Sequence, residues 1–239
     1  MKKALIIFIF GLLTPLAFSQ DGDHIGGGYY TKTIEYNLLR PIIGYNYNSK
    51  SDVEKLFFGN YNAPVEFFYG SDGGVFSGFR IIRDTLKMSY FLEIKYVSNY
   101  REAASEASEK ASIAFSMLEK TSQVDERTAY YFKEMNKLFK VESRSFKISD
   151  KFAEKLYNEM VSFIDNFKAR GVPPFINGGY SVTFRTAVDD NELWTLKIHV
   201  PTGNAFKFAK ICIKLLEEKD SKKLEESTYI KLLDDFKRE

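Results

Sequence analysis

The chain has 239 residues, of which 44% are hydrophobic and 16% aromatic, with 34 Lys and Arg against 32 Asp and Glu. The excess of +2 lies in Lys2 and Lys3; without the first 19 residues the charges balance, which argues against general attraction to nucleic acid or anionic lipid. A lone cysteine, Cys212, closes no intramolecular disulfide, so stability must come from an apolar core, for which 22 Phe and 15 Tyr supply the material.

Met1-Lys2-Lys3 is a short positive region, Ala4 to Phe18 is apolar, and Ala17-Phe18-Ser19 puts small residues at the −3 and −1 positions of a cut before Gln20. The pattern predicts a cleaved signal peptide over 1–19 and a periplasmic or extracellular protein starting at Gln20. An uncleaved anchor is the alternative, but the apolar run is shorter than the roughly 20 residues a spanning helix needs, and Pro15 interrupts it. No Cys follows for lipid attachment. No later stretch is apolar enough to predict a membrane span. Residues 20–28 are polar and glycine-rich and read as a disordered lead-in, leaving 29–239 as one expected domain.

From Tyr29 to Asn48 the chain is rich in Tyr and Asn and reads as extended, though with poor period. A helical turn or two is expected over Asp52 to Phe58. Strands follow at Val65–Tyr69, Phe76–Arg83 and Tyr90–Val97, where aromatic and β-branched residues are bounded by turn signals. The period then changes to three and four. Tyr100, Ala103, Ala104, Ala107, Ala111, Ala114, Phe115 and Leu118 form one helical stripe, with Asn99 as its cap and Glu102 reaching back. A second helix is expected from Asp125 to about Phe139, packing through Thr128, Phe132, Met135 and Phe139, and a strand over Val141–Ile148.

Ser149 caps a helix whose apolar face is Phe152, Leu156, Met160, Phe163 and Phe167, stopped by Gly171 and Pro173-Pro174. A hairpin comes next. Val182, Phe184, Thr186 and Val188 share a face with Trp194, Leu196, Ile198 and Val200 only if Phe184 opposes Leu196 and Val182 opposes Ile198. That register demands the three-residue loop Asp189-Asp190-Asn191. Two helices close the chain: one capped by Thr202 or Asn204 with the stripe Ala205, Phe208, Ala209, Cys212, Leu215 and Leu216, and a charged one from Ser221 to about Phe236. The fold class expected is α+β, a mainly antiparallel sheet with several helices packed on one face.

Histidine supply limits the chemistry. Only His24, in the lead-in, and His199 are present, so no two-histidine zinc motif of the HExxH kind exists and no Cys pair replaces it. The GxSxG elbow, SxxK and the phosphate-binding GxxxxGK[ST] loop are absent, and the glycines between 70 and 78 match no dinucleotide fingerprint; no metal or cofactor is expected. The hairpin register places Ser181 opposite His199, with Thr183, Arg185, Thr195 and Lys197 on the same face. A Ser-His pair joined by a carboxylate serves acyl transfer. The plainer reading is the solvated face of a hairpin, with no oxyanion hole supplied.

Pro201-Thr202-Gly203-Asn204 leads a strand into a helix, where free N–H groups with Lys207 nearby suit an anion; a normal capped turn accounts for it as well. The acids Asp189, Asp190 and Glu192, and Asp21 with Asp23, lack calcium-loop spacing and read as solvated turns. Cys212, on an apolar stripe, reads as a small buried hydrophobe. Tyr29, Tyr30, Tyr36, Tyr45 and Tyr47 are the aromatic group least explained by a core and the first place to expect a binding surface.

The segments Phe152-Ala153-Glu154-Lys155-Leu156-Tyr157, Tyr180-Ser181-Val182-Thr183-Phe184-Arg185 and Pro201-Thr202-Gly203-Asn204-Ala205 resemble uncharacterised exported proteins of bacterial envelopes. The resemblance covers the C-terminal third and implies export from a bacterial cell, with no assigned activity to carry over. The expectation is an exported non-catalytic protein that binds an envelope protein or a glycan. The alternative is an exported hydrolase using His199 or a pair of carboxylates, since acid-pair enzymes need no sequence signature.

Overall fold

The computed structural model describes residues 30–36, 50–59, 63–71, 73–116, 124–168, 178–188 and 192–238. The expected signal peptide, the lead-in with His24, Tyr29, Tyr45, Tyr47, Leu118, the stop at 171–174 and the hairpin loop at 189–191 lie outside them.

Among the described residues seven strands form one sheet in the order β1-β7-β6-β2-β3-β4-β5, every neighbouring pair antiparallel. They are β1 (Tyr30–Tyr36), β2 (Val65–Ser71), β3 (Phe76–Asp84), β4 (Ser89–Val97), β5 (Val141–Ile148), β6 (Tyr180–Val188) and β7 (Glu192–His199). The α-helices among the described residues are α1 (Asp52–Phe58), α2 (Tyr100–Ala114), α3 (Val124–Leu138), α4 (Asp150–Asn166), α5 (Gly203–Glu217) and α6 (Glu226–Arg238). The α+β class holds.

Alternation decides the β6–β7 hairpin. Phe184 pairs with Leu196, Val182 with Ile198 and Ser181 with His199, and Val188 with Glu192 closes the ladder around three intervening residues. Any one-residue slip would carry this apolar set to the opposite face. The resulting front face presents Phe67, Phe79, Leu92, Ile94, Phe184 and Leu196 to α4, α5 and α6, and all six are fully buried. Phe163 of α4 meets the rings of Phe184 and Phe208 at 4.9 and 4.8 Å between centroids. Each fully buried ring of this kind contributes roughly 1.5–3 kcal/mol through apolar area alone.

Helix ends follow local chemistry in part. Ser149 caps α4 as expected, accepting from the Phe152 N–H. Asn99 does not cap α2; its amide donates to the Leu138 carbonyl and its oxygen accepts from the Lys140 N–H. It ties the start of α2 to the end of α3, a tertiary use that competes with the cap. The last helix starts at Glu226 rather than Ser221. A short 3-10 turn occupies Glu218–Asp220, and Glu226 docks on the N–H and hydroxyl of Ser149.

The back face of the sheet is covered too, and the sequence pattern alone does not foresee it. Phe57 and Phe58 of α1 lie over Gly78 of β3, where an added Cβ would sit 2.7 Å from Phe58 and 2.9 Å from the Phe67 carbonyl. The α2–α3 hairpin packs through Ala103, Ala107 and Met135. Its inner face uses Tyr131 and Met135, whereas the expected contacts Thr128 and Phe132 are exposed, because α3 is turned so that Tyr131 and Met135 pack against Ala103 and Ala107 of α2. Residues read as a solvated hairpin face are therefore interior: Thr183 is 3% exposed, Arg185 1% and Thr195 4%.

Candidate functional site

Two arrangements occupy the back face. The first is a buried charge network at the α1 end. Ser51 and Glu54 form a reciprocal capping box, the Ser51 N–H donating to one Glu54 oxygen at 2.7 Å. The other Glu54 oxygen accepts from Arg185 at 3.0 Å. Arg185 also donates to Glu66 at 3.0 Å and to the Thr195 hydroxyl at 3.3 Å. Glu66 in turn accepts from Lys50 at 3.0 Å and from the Ala63 N–H at 3.2 Å. Two cations face two anions, so the charge is balanced away from water.

Burial alone would raise the Glu54 carboxyl, but the Arg185 guanidinium and the Ser51 hydrogen bonds hold it below the usual carboxylate range. Burial pulls Lys50 below the ordinary lysine value despite Glu66 beside it. Glu54 and Glu66 are a carboxylate pair, but Arg185 bridges them and neither is open to substrate. Their chemistry is to pin α1 to β2 and β6. Sequence reading left these acids unplaced. The signals were the S-x-x-E spacing at Ser51 and a single Glu and a single Arg inside aromatic strands.

The second arrangement is a cleft of about 530 Å³ between the back face and the α2–α3 hairpin. Phe68, Gly70 and Phe76 give the floor, with Thr183, Ser181 and Lys197 from β6 and β7. Ser51 and Val53 of α1 close one side, and Tyr100, Tyr131, Phe132 and Met135 the roof. Gly70 lies where a Cβ would stand 3.2 Å from the Phe76 ring, so a side chain there would crowd the floor. Phe76 contacts Tyr100 at 5.8 Å between centroids, continuing the aromatic wall from sheet to helix. The volume falls within the roughly 300–1,000 Å³ of small-molecule pockets.

Ser181 and His199 meet as the register required, the Ser181 oxygen 3.0 Å from His199 Nδ1. No carboxylate is hydrogen-bonded to His199 among the described residues, and Ser181 is the member of the pair that lines the cleft. Val200, next in sequence, holds φ of 49°, a strained value for a β-branched residue, while its N–H donates to the Tyr180 carbonyl. Thr202 precedes α5 without a side-chain cap. Among the tyrosines expected to form a binding surface, Tyr30 and Tyr36 lie on edge strand β1, opposite Ile198 and Glu192 of β7. Among the described residues, Phe68, Phe76, Tyr100, Tyr131 and Phe132 line the cleft as an aromatic surface. Cys212 is buried in the front core, and burial pushes its thiol up, so it is not poised as a nucleophile.

Among the described residues no group of three His, Cys, Asp or Glu is placed to hold a metal ion, and no helix is long and apolar enough to cross a membrane. No family model and no curated protein matches the chain. A solved structure described as a "putative adenylate cyclase" from Bacillus halodurans covers 83% of this chain and 92% of its own at 10% identity, with a TM-score of 0.14. That likeness carries no argument about fold or activity.

Proposed function

We propose that this is an exported, non-catalytic binding protein of the bacterial envelope whose ligand site is the back-face cleft. Export rests on the leader-like pattern of residues 1–19 and on the resemblance of the C-terminal third. The observation that carries the binding reading is a cleft lined by five aromatic rings over an antiparallel sheet. Aromatic walls present flat apolar area at low entropy cost, which suits a sugar face, a partner's side chain or a small apolar molecule.

The hydrolase reading draws on one specific observation, the 3.0 Å contact between Ser181 and His199 beside that cleft. Against it, the orienting acid of a triad has no counterpart among the hydrogen bonds of His199, and the carboxylate pair is closed off by Arg185. Binding is the better-supported reading.

The neutral fluorescent probe N-phenyl-1-naphthylamine tests the site. One saturable site is expected, weakened roughly three- to tenfold by Phe132→Ala, which removes a half-exposed wall ring without opening the core. Absence of saturable binding, or equal affinity in the variant, would overturn the assignment of the cleft.

A further inference from the structure

The cleft is chemically lopsided. Its lining contains one cation, Lys197, and no carboxylate. Lys197 is exposed and has no ion-pair partner among the described residues. Directly across the β6–β7 ladder, Thr183 pairs with Lys197 in register and points to the same face. Thr183 is 97% buried by residue surface, being 3% exposed, yet its hydroxyl makes no hydrogen bond among the described residues while lining the cleft. A hydroxyl that faces the cleft and that no protein group satisfies is free to donate to a ligand. An ammonium and an unpartnered hydroxyl side by side form a two-donor seat.

The serine hydroxyls of the lining already have partners. Ser51 accepts from the Glu54 N–H, Ser71 from the Val75 N–H, and Ser181 is bonded to His199. Beyond Lys197 and Thr183, only the phenols of Tyr100 and Tyr131 remain to meet the many hydroxyls of a neutral sugar. The rest of the surface is aromatic and aliphatic, contributed by Phe68, Phe76, Tyr100 and Met135 among others.

We infer that the cleft takes a small amphiphilic carboxylate, with its acid group on Lys197 and Thr183 and its apolar body between the sheet and the α2–α3 hairpin. The inference rests on the binding reading above and names its ligand class. Lys197 supplies charge complementarity, and the Thr183 O–H donates to the second carboxylate oxygen. A single short apolar body fits the one-ended polarity of the site, since the charge sits at the β6–β7 end and the rings extend away from it.

Paired probes separate this inference from the reading beneath it. 1-Anilinonaphthalene-8-sulfonate carries an anion on a skeleton close to that of N-phenyl-1-naphthylamine. Lys197→Gln is expected to weaken the anionic probe roughly three- to fivefold and the neutral probe by a clearly smaller factor. The anionic preference of the wild-type protein should fade in about 1 M salt, where screening reaches about 3 Å. Decanoate should displace the neutral probe at lower concentration than decanol. Equal effects of Lys197→Gln on both probes, displacement by decanol as strong as by decanoate, or displacement by a neutral oligosaccharide at lower concentration than decanoate would overturn the carboxylate assignment. Failure of the neutral probe to bind wild-type protein would overturn the cleft reading itself.

Discussion

Replacing Arg185 with Leu removes the residue on which the back-face charge network turns. Arg185 is 1% exposed and makes two 3.0 Å ion pairs, to Glu54 and Glu66, both about as buried as itself. Without it Glu66 keeps Lys50 and the Ala63 N–H, while Glu54 keeps the Ser51 capping bonds and no opposite charge within hydrogen-bond reach. Stranding a buried charge in this way costs about 3–5 kcal/mol, a large part of the stability of a domain. The pH dependence distinguishes this cause from a simple packing defect. In the native protein Glu54 is held below its unfolded value, so its contribution is complete above roughly pH 4.3 and is lost as pH falls through the folded value. In Arg185→Leu only the Ser51 hydrogen bonds oppose burial, the largest single influence on this carboxyl, so the folded value is expected to rise above the unfolded one. The penalty is then greatest near pH 7 and shrinks as the pH falls, by up to about 1.4 kcal/mol per pH unit. Urea unfolding at about pH 7 and about pH 5 measures both effects. Adding Glu54→Gln removes the stranded charge, keeps a carbonyl for the Ser51 N–H and should recover at least half of the loss. A single-variant cost below about 1 kcal/mol, or one that stays constant or grows on acidification, would refute the reasoning.

His199→Ala should cost no more than about 1.5 kcal/mol, since it removes one half-buried hydrogen bond, and should change the affinity of the neutral probe less than twofold; loss of binding by either measure in thermal melts and titrations would restore a functional role for the pair. Expression in a bacterial host should yield a protein whose N-terminal sequence begins at Gln20 and which fractionates with periplasm or medium; a chain beginning at Met1 in the membrane fraction would show an uncleaved anchor.

The strands, the long α4 helix and the hairpin register were legible because each depends on a short period with a buried face. Val182, Phe184, Leu196 and Ile198 admit one pairing that keeps them together, and neighbouring residues suffice to find it. The Ser181–His199 contact followed from the same register. What alternation cannot tell is whether the opposite face meets water. Thr183, Arg185 and Thr195 look like a solvated strand face in sequence, and burial of that face comes from α1, whose Glu54 meets Arg185 from 131 positions earlier in the chain. The charges inside it are tolerated only because Lys50, Glu54 and Glu66 arrive at matching positions from three other places. The cleft has the same origin. Its floor comes from β2, β3, β6 and β7 and its roof from α2 and α3, and a helix turned to pack Tyr131 against α2 leaves Phe132 at the rim. Sequence by itself determined the elements, their apolar faces and the pairing of the last two strands. Tertiary structure alone decided that the polar face would close over a balanced charge network at one end and an aromatic cleft with a single cation at the other, because long-range packing, not local period, sets which polar residues lose water.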